Sequence, residues 1–254
     1  LDANYLVKGW LSSGTFSVLY GPSNVGKTFV VIDLAMHVAA GEPWLGQRVS
    51  QGAVLYVAAE GGYGIKNRLA AIARERPELA ETPFYLLPMR LNLGGEIDHA
   101  ALAQAVSDIK PSLVVIDTLA RTMGDGNENS TQDMNRFVAS VDRVRELTGA
   151  HVLVVHHSGK NEENGARGST ALRAAADTEI CVSRVPDCVP AVIEIKATKQ
   201  RDYENPRPIC VSLQSVELGL DLDGDAITSA VVEIAEDVGP IRKPLKGEHQ
   251  EALN

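Results

Sequence analysis

The most constraining feature of this 254-residue sequence is a glycine-rich octapeptide between an apolar run and an amphipathic stretch. Its residues are Gly21, Pro22, Ser23, Asn24, Val25, Gly26, Lys27 and Thr28, which fit G-x-x-x-x-G-K-[ST]. The preceding run, 15–20, is rich in β-forming residues, and 28–40 carries apolar residues at helical spacing. A strand, a tight loop and a helix in this order direct backbone N–H groups and a helix dipole at a phosphate. The pattern predicts a P-loop, with Lys27 on the β- and γ-phosphates and the Thr28 hydroxyl on Mg²⁺.

Apolar runs and helical stretches alternate along the first two-thirds of the chain, which predicts an α/β fold with helices on a mostly parallel sheet. The predicted strands there are 15–20, 53–59, 84–87, 113–117 and 152–155, and the helices are 28–40, 65–76, 99–109 and 131–148. Four further strands, 178–182, 191–197, 209–218 and 227–234, are expected to extend the sheet in antiparallel order. We expect one domain over 1–235 and a polar linker over 236–254.

The amino-acid composition limits which partners and which compartment this protein can have. With 33 acidic and 24 basic residues the net charge is −9, so contact with nucleic acid must depend on a local basic feature. No apolar stretch approaches the roughly 18 residues of a membrane helix, and we expect no membrane partner. Cys181, Cys188 and Cys210 lack metal or redox spacing, which favours free thiols in the cytoplasm. Because the chain begins at Leu1 and no targeting signal follows, we expect flanking domains of a longer chain.

Two acidic residues follow apolar strands and are candidates for the chemistry. Asp117 ends the run 113–117, as a Walker-B acid that holds Mg²⁺ would, although such an acid can also cap a helix. Glu60 ends the run 54–59, and the carboxyl ends of parallel strands converge on one crevice. Glu60 is therefore predicted to polarise the attacking water. The alternative is an acid stabilised by the dipole of the following helix.

Together these stretches resemble the RecA-like ATPase core, and within it the RepA-type branch of hexameric replicative helicases from plasmids and phages. The resemblance rests on 19–28, 54–61, 114–121 and 152–160. It implies a P-loop NTPase fold, ATP and Mg²⁺ bound at the interfaces of a six-membered ring, and translocation on single-stranded DNA. It also places the catalytic glutamate on the strand after the P-loop helix, which supports Glu60. One strand, here 151–156, is expected between the P-loop strand and the Walker-B strand.

The resemblance further implies that a polar residue ending this strand senses the γ-phosphate, and His156 and His157 both match. Neighbouring side chains on a strand point to opposite faces, so only one of them can face the nucleotide. Comparison with the Gln-x-x-Arg of DnaB-type helicases favours His157, although the paired histidines of RepA-type sequences leave the choice open. The alternatives are exposed strand-end imidazoles or a zinc site, for which His151 is the only further histidine or cysteine nearby in the sequence.

Two groups of cations are candidates for contacts beyond the chain's own nucleotide. Lys160, Arg167 and Arg173 lie in a loop that, by the resemblance, lines the central channel and follows the phosphates of single-stranded DNA. A solvated loop, or one that contacts the γ-phosphate of its own subunit, is the alternative. Lys199 and Arg201 resemble the Lys-x-Arg element that reaches the neighbouring subunit's γ-phosphate, with Arg201 as an arginine finger. A solvated strand end, or a salt bridge of Arg201 with Asp202 or Glu204, is the alternative.

The sequence thus predicts an ATP-hydrolysing motor core, in the first place that of a hexameric DNA helicase. A RecA/KaiC-like ATPase that acts in recombination or regulation without unwinding is the nearest alternative. A small-molecule P-loop kinase would need a lid with several arginines, whereas 196–208 contains only Arg201 and Arg207. A scaffold that binds ATP without hydrolysing it is disfavoured by Glu60.

Overall fold

The computed structural model describes residues 4–59, 62–89, 91–93, 96–158 and 170–235. Three of the predicted site residues, Glu60, Lys160 and Arg167, lie outside these described residues. The predicted linker 236–254 lies outside them as well. No helix among the described residues combines the length and the apolar character that crossing a membrane requires.

The described residues form eleven strands and six α-helices. The strands are β1 (Tyr5–Val7), β2 (Leu11–Ser12), β3 (Phe16–Gly21), β4 (Val54–Ala58), β5 (Phe84–Leu87), β6 (Leu113–Asp117), β7 (His151–His157), β8 (Thr178–Val185), β9 (Val192–Gln200), β10 (Ile209–Leu220) and β11 (Ala226–Ile234). The helices are α1 (Lys27–Ala40), α2 (Tyr63–Glu75), α3 (Glu96–Ile109), α4 (Leu119–Thr122), α5 (Thr131–Thr148) and α6 (Thr170–Ala175). Every predicted element is present, whereas the short β1, β2, α4 and α6 were not predicted because they span too few residues for a periodic pattern.

Within the described residues, nine strands form one sheet in the order β11-β10-β9-β8-β3-β7-β6-β4-β5. The strands from β8 to β5 in this order run parallel, and β9, β10 and β11 continue the sheet in antiparallel pairs. This confirms the predicted α/β architecture, including the position of β7 between the P-loop strand β3 and the Walker-B strand β6. Because parallel strands end at the same side of the sheet, the carboxyl ends of β3, β4, β6 and β7 lie together there.

Alternation along the strands divides the sheet into two apolar faces. Leu113 and Val115 pack with the buried residues of α1 and α2 on one face. Val114 and Ile116 pack with those of α3, α5 and α6 on the other. Asp117 continues the first series, so its side chain belongs to the face that α1 covers.

A buried ionic network joins α1 to the end of α2 and to β11. Asp33 on α1 accepts hydrogen bonds from Nε1 of Trp44 at 3.0 Å and from a guanidinium nitrogen of Arg76 at 2.7 Å. Burial raises the pKa of the Asp33 carboxyl, and the nearby His37 and Arg76 act in the opposite direction. Arg76 also donates to the carbonyl of Val232 and, at 2.9 Å, to Glu233. The network therefore holds the last strand against the P-loop helix.

Candidate nucleotide-binding site

Both glycines of the P-loop pattern are required by the packing around the loop. A Cβ at Gly21 would lie 2.1 Å from the carbonyl oxygen of Val182 on β8, which leaves no room for a side chain. Gly26 directly precedes α1 with φ of 105°, a backbone conformation that favours glycine. A Cβ there would lie 2.8 Å from Cδ1 of Ile193. The spacing recognised in the sequence thus reflects two close approaches of the loop to β8 and β9.

The loop borders a cavity of about 620 Å³, a volume within the usual range for small-molecule sites. The predicted residues that line it are Ser23, Asn24, Val25, Gly26, Lys27, Thr28, Asp117 and His157. Gly21 and Pro22 complete the loop through their carbonyl groups, which accept hydrogen bonds from Lys27. The structure thus brings together residues predicted from three separate parts of the chain.

Lys27 directs its ammonium group toward the loop. Its Nζ donates to the carbonyl oxygens of Gly21 at 2.9 Å and Pro22 at 2.7 Å, and it lies 3.3 Å from Nδ1 of His157. The same Nδ1 is 3.4 Å from the hydroxyl of Ser23. A positive charge and an imidazole therefore lie side by side at the P-loop.

The two neighbouring histidines on β7 occupy different environments. His157 is half-buried at the cavity wall, on the face covered by α1. His156 is fully buried, and the alternation of the strand directs it to the opposite face. Of the two, His157 is therefore the one placed beside the P-loop, as the sequence comparison favoured. Among the described residues, no group of three or more His, Cys, Asp or Glu side chains is placed to hold a metal ion.

Asp117 and Thr28 are candidate Mg²⁺ ligands, and both line the cavity. Asp117 is 4% exposed at the end of β6, and its Oδ2 accepts a 2.7 Å hydrogen bond from the hydroxyl of Tyr56. Thr28 lies in the first turn of α1. Mg²⁺ prefers oxygen ligands and usually keeps several waters and phosphate oxygens beside one or two protein ligands. The donor set of one carboxylate and one hydroxyl fits this ion.

The sequence reasoning missed several residues that line the same cavity. They are Phe29, Ile65, Arg68, Arg184, Pro190, Ala191, Ile193 and Leu213. The guanidinium carbon of Arg68 lies 4.5 Å from the centre of the Phe29 ring, within the range of a cation–π contact. A nitrogen of Arg184 lies 3.5 Å from the carbonyl oxygen of Asn24. These residues come from α1, α2, the strands β8 to β10 and the loop between β8 and β9. They follow no motif, so only the tertiary structure identifies them.

Lys199 and Arg201 lie at the opposite end of the strands from the P-loop. Gln200 pairs with Thr178 and Thr178 with Ser17, which places the end of β9 beside the start of β3. The four steps along β3 from Ser17 to Gly21 correspond to about 13 Å. Both cations are therefore remote from the P-loop of their own chain.

These two cations hold the C-terminal end of α6. Nζ of Lys199 donates to the carbonyl oxygens of Arg173 at 2.7 Å and Ala176 at 2.6 Å. A guanidinium nitrogen of Arg201 lies 2.5 Å from Oδ1 of Asp177, so its ion-pair partner precedes it by 24 residues. This partner is Asp177 and not Asp202 or Glu204, the two acids of the alternative interpretation. Lys199 thus satisfies carbonyl oxygens at the C-terminal end of α6, and Arg201 pairs with the carboxylate just beyond it.

Arg173, a predicted DNA contact, is engaged by a buried carboxylate. Its Nε lies 3.0 Å from Oε2 of Glu179, whose side chain is fully buried, while the Arg173 side chain is half exposed. Burial raises the pKa of the Glu179 carboxyl, and the positive charges of Arg173 and Lys199 act against this. Arg173 thus stabilises a buried acid in addition to any other role.

Comparisons with known proteins agree with this architecture. The chain is similar to a flagellar accessory protein, FlaH, from Methanocaldococcus jannaschii, at 14% identity over 88% of this chain and 91% of that chain with a TM-score of 0.55. It is similar to a RadB recombinase at 16% identity over 80% of this chain and 88% of that chain with a TM-score of 0.58. It is also similar to a KaiC-like protein from Pyrococcus horikoshii, at 13% identity over 92% and 98% with a TM-score of 0.61. These structures confirm the predicted RecA-like fold.

The sequence itself matches a protein family. The match extends over residues 2–163, which is more than half of the chain and includes the P-loop, Asp117 and His157. On this ground the chain belongs to the AAA domain family.

Proposed function

We propose that this chain hydrolyses ATP with Mg²⁺ at the P-loop cavity, as the motor domain of a RecA-like ring. The observation that carries the proposal is that Lys27, Asp117 and His157 line one cavity of about 620 Å³. Lys27 offsets charge on the β- and γ-phosphate oxygens, and His157 contacts the γ-phosphate. Thr28 and Asp117 hold Mg²⁺, which when bound neutralises phosphate charge. Glu60 orients the attacking water.

The apolar residues in the cavity lining support a nucleoside base as the second half of the ligand. Ile65, Pro190 and Ile193 offer apolar surface there, and Arg68 extends a planar guanidinium beside Phe29. A flat heteroaromatic base fits between apolar side chains and a guanidinium plane. The cavity lining thus offers both the polar groups of the P-loop and apolar surface, as a nucleoside triphosphate requires.

The position of Lys199 and Arg201 supports assembly with nucleotide sites shared between subunits. Both lie at the end of the strands opposite to their own P-loop, so any nucleotide phosphate that they contact belongs to a site on another molecule. Arg201 is 51% exposed and can be reached by a neighbour. We propose a hexameric ring in which Arg201 acts in trans as an arginine finger, with Lys199 beside it.

Within such a ring, Lys160 and Arg167, with Arg173 at the end of the same stretch, are proposed to follow the phosphates of single-stranded DNA. Hydrolysis would then drive translocation, as in the RepA-type helicases that the sequence resembles. A RecA/KaiC-like ATPase that acts without unwinding is the second candidate. The similarity to structures described as a RadB recombinase and a KaiC-like protein favours it.

One set of measurements tests these proposals. Phosphate release from ATP is followed with and without single-stranded DNA, beside sizing of the assembly and unwinding of a forked duplex, with Lys27→Ala as the inactive control. DNA-stimulated hydrolysis together with unwinding is the expected result. Stimulation without unwinding selects the second candidate. Absence of ATP hydrolysis, or phosphoryl transfer to a metabolite instead, contradicts the proposed function.

A further inference from the structure

A tyrosine hydroxyl is bonded to the candidate metal ligand from within the sheet. Tyr56 lies in the middle of β4, is fully buried, and donates a 2.7 Å hydrogen bond to Oδ2 of Asp117. In the parallel pairing of β4 with β6, Tyr56 is opposite Val115 and Ala58 is opposite Asp117. The phenol therefore spans two residues along the sheet, about 6.6 Å. Few side chains other than tyrosine are long enough to place a neutral donor there.

The ring of Tyr56 is held in place from the neighbouring strand. Its centre lies 5.8 Å from that of Phe84 on β5, with 35° between the ring planes. The strand β4 itself lies between β5 and β6. A fully buried ring in this position cannot turn its hydroxyl to solvent without disrupting the sheet. The donor is therefore fixed before any ligand binds.

We propose that Tyr56 is a positioning residue that fixes the Asp117 carboxylate for Mg²⁺, an inference that rests on the proposed function. A phenol with an ordinary pKa near 10 is neutral at physiological pH and donates its proton, whereas an ionised carboxylate only accepts. A hydrogen bond to Oδ2 fixes the rotation of the carboxylate and thereby the direction of its remaining lone pairs. Mg²⁺ tolerates little deviation from octahedral geometry, so this direction affects its affinity.

The size of the effect follows from other metal sites. Partners that orient a ligand without touching the metal typically change metal affinity by 10–100-fold when they are removed. Tyr56→Phe keeps the ring against Phe84 and removes only the hydroxyl. We expect it to raise the Mg²⁺ concentration needed for half-maximal nucleotide binding by about tenfold.

The chain offers a matched control in Tyr20→Phe. Tyr20 on β3 is 2% exposed, and its hydroxyl lies 3.1 Å from Oγ1 of Thr198. The same substitution there removes a buried hydroxyl that does not contact Asp117. The experiment measures binding of a fluorescent ATP analogue to the full chain at increasing Mg²⁺, together with the unfolding midpoint of each variant. The expected result is a raised Mg²⁺ requirement for Tyr56→Phe and the parental value for Tyr20→Phe.

Any other outcome of these measurements overturns the proposed role of Tyr56. A parental Mg²⁺ requirement in Tyr56→Phe, with a lowered unfolding midpoint, means that the hydroxyl only stabilises the sheet and overturns the proposal. An equal rise in both variants overturns it too. If Tyr56→Phe does not fold, 4-fluorophenylalanine incorporated at position 56 fills the space of the hydroxyl without donating, and the same criteria apply. A parent chain that binds the analogue without any dependence on Mg²⁺ overturns this proposal alone, whereas a parent that binds no nucleotide overturns the proposed function as well.

Discussion

Nζ of Lys27 lies 3.3 Å from Nδ1 of His157, a contact that connects the P-loop helix to the last residue of β7. The two residues are 130 positions apart in the sequence. Their contact depends on the pairing of β3 with β7, in which Gly21 is opposite His157. Because Gly21 begins the P-loop, any residue at position 157 lies beside the loop. The N–H of an imidazole there can donate a hydrogen bond to a phosphate oxygen.

Replacement of His157 by alanine should separate binding from turnover. Lys27→Ala is expected to abolish tight ATP binding or turnover, since it removes the charge that bridges the phosphates. His157→Ala should retain ATP binding within a few-fold and slow hydrolysis by about 100-fold, the usual cost of losing one donor to developing charge. Equilibrium nucleotide binding and phosphate release measure the two quantities. A parental turnover rate in His157→Ala would exclude His157 from the reaction.

Glu60→Gln should stop the chemistry without preventing binding. The amide preserves the shape of the side chain and removes its basicity, so Mg²⁺ and nucleotide should still bind while hydrolysis slows by roughly 10²–10⁴-fold. Binding of the fluorescent analogue and single-turnover phosphate release check this. Glu128→Gln, a partly buried acid in the loop before α5, serves as the control. If Glu60→Gln hydrolyses ATP at the parental rate, the base lies elsewhere, and the helix-dipole interpretation of Glu60 takes its place.

Arg201→Ala tests whether nucleotide sites are shared. Arg201 is half exposed, and Asp177 keeps a contact with Arg145 at 3.7 Å when Arg201 is removed. Loss of the ion pair should therefore lower the free energy of unfolding by about 1 kcal/mol. ATP binding should persist, and DNA-stimulated hydrolysis should fall by about 10³-fold or more. Arg207→Ala, an exposed arginine nearby, is the matched control and should behave like the parent. Mixing Arg201→Ala with Lys27→Ala subunits should restore part of the activity at junctions with one intact P-loop and one intact finger. If mixed assemblies are shown to form but ATP hydrolysis does not recover, the result argues against action of Arg201 in trans.

His151 should make the fold sensitive to acid. Its Nδ1 lies 2.8 Å from the carbonyl oxygen of Ser12 and its Nε2 lies 2.6 Å from the hydroxyl of Ser17. Burial lowers the pKa of this imidazole from its ordinary 6.5 to about 4. Between these values the unfolded chain binds a proton that the folded chain does not, so stability falls as the pH falls from about 6.5 to about 4. The total loss corresponds to about 3 kcal/mol.

Denaturant unfolding of the parent and of His151→Gln measures this effect. The amide forms hydrogen bonds but does not titrate, so the variant should lose less stability than the parent between about pH 7 and about pH 5. Equal losses in the two proteins would show that other groups cause the acid sensitivity.

The sequence by itself determined the elements that depend on local pattern. The spacing of Gly21, Gly26 and Lys27 between a strand and a helix predicted the P-loop, and alternation on β7 separated His156 from His157. The runs 84–87 and 113–117 and the helix 131–148 were predicted with the bounds that the structure has. Strand and helix periodicity extends over several residues in each case and needs no knowledge of neighbours. Helices as short as α4 and α6 lack such a signal.

Only the tertiary structure decided which distant residues meet. Nothing at position 56 marks a tyrosine whose hydroxyl reaches Asp117, 61 residues further on, because that contact depends on the register of β4 with β6. Likewise, Arg68 approaches Phe29 only because α2 packs beside α1. Arg201 lies at the opposite end of the strands from the P-loop because β9 runs antiparallel to β8. The end of a parallel strand at this position would lie on the same side as the P-loop. Pairing and register are set by long-range packing between strands, and that packing leaves no periodic trace in the sequence of any single strand.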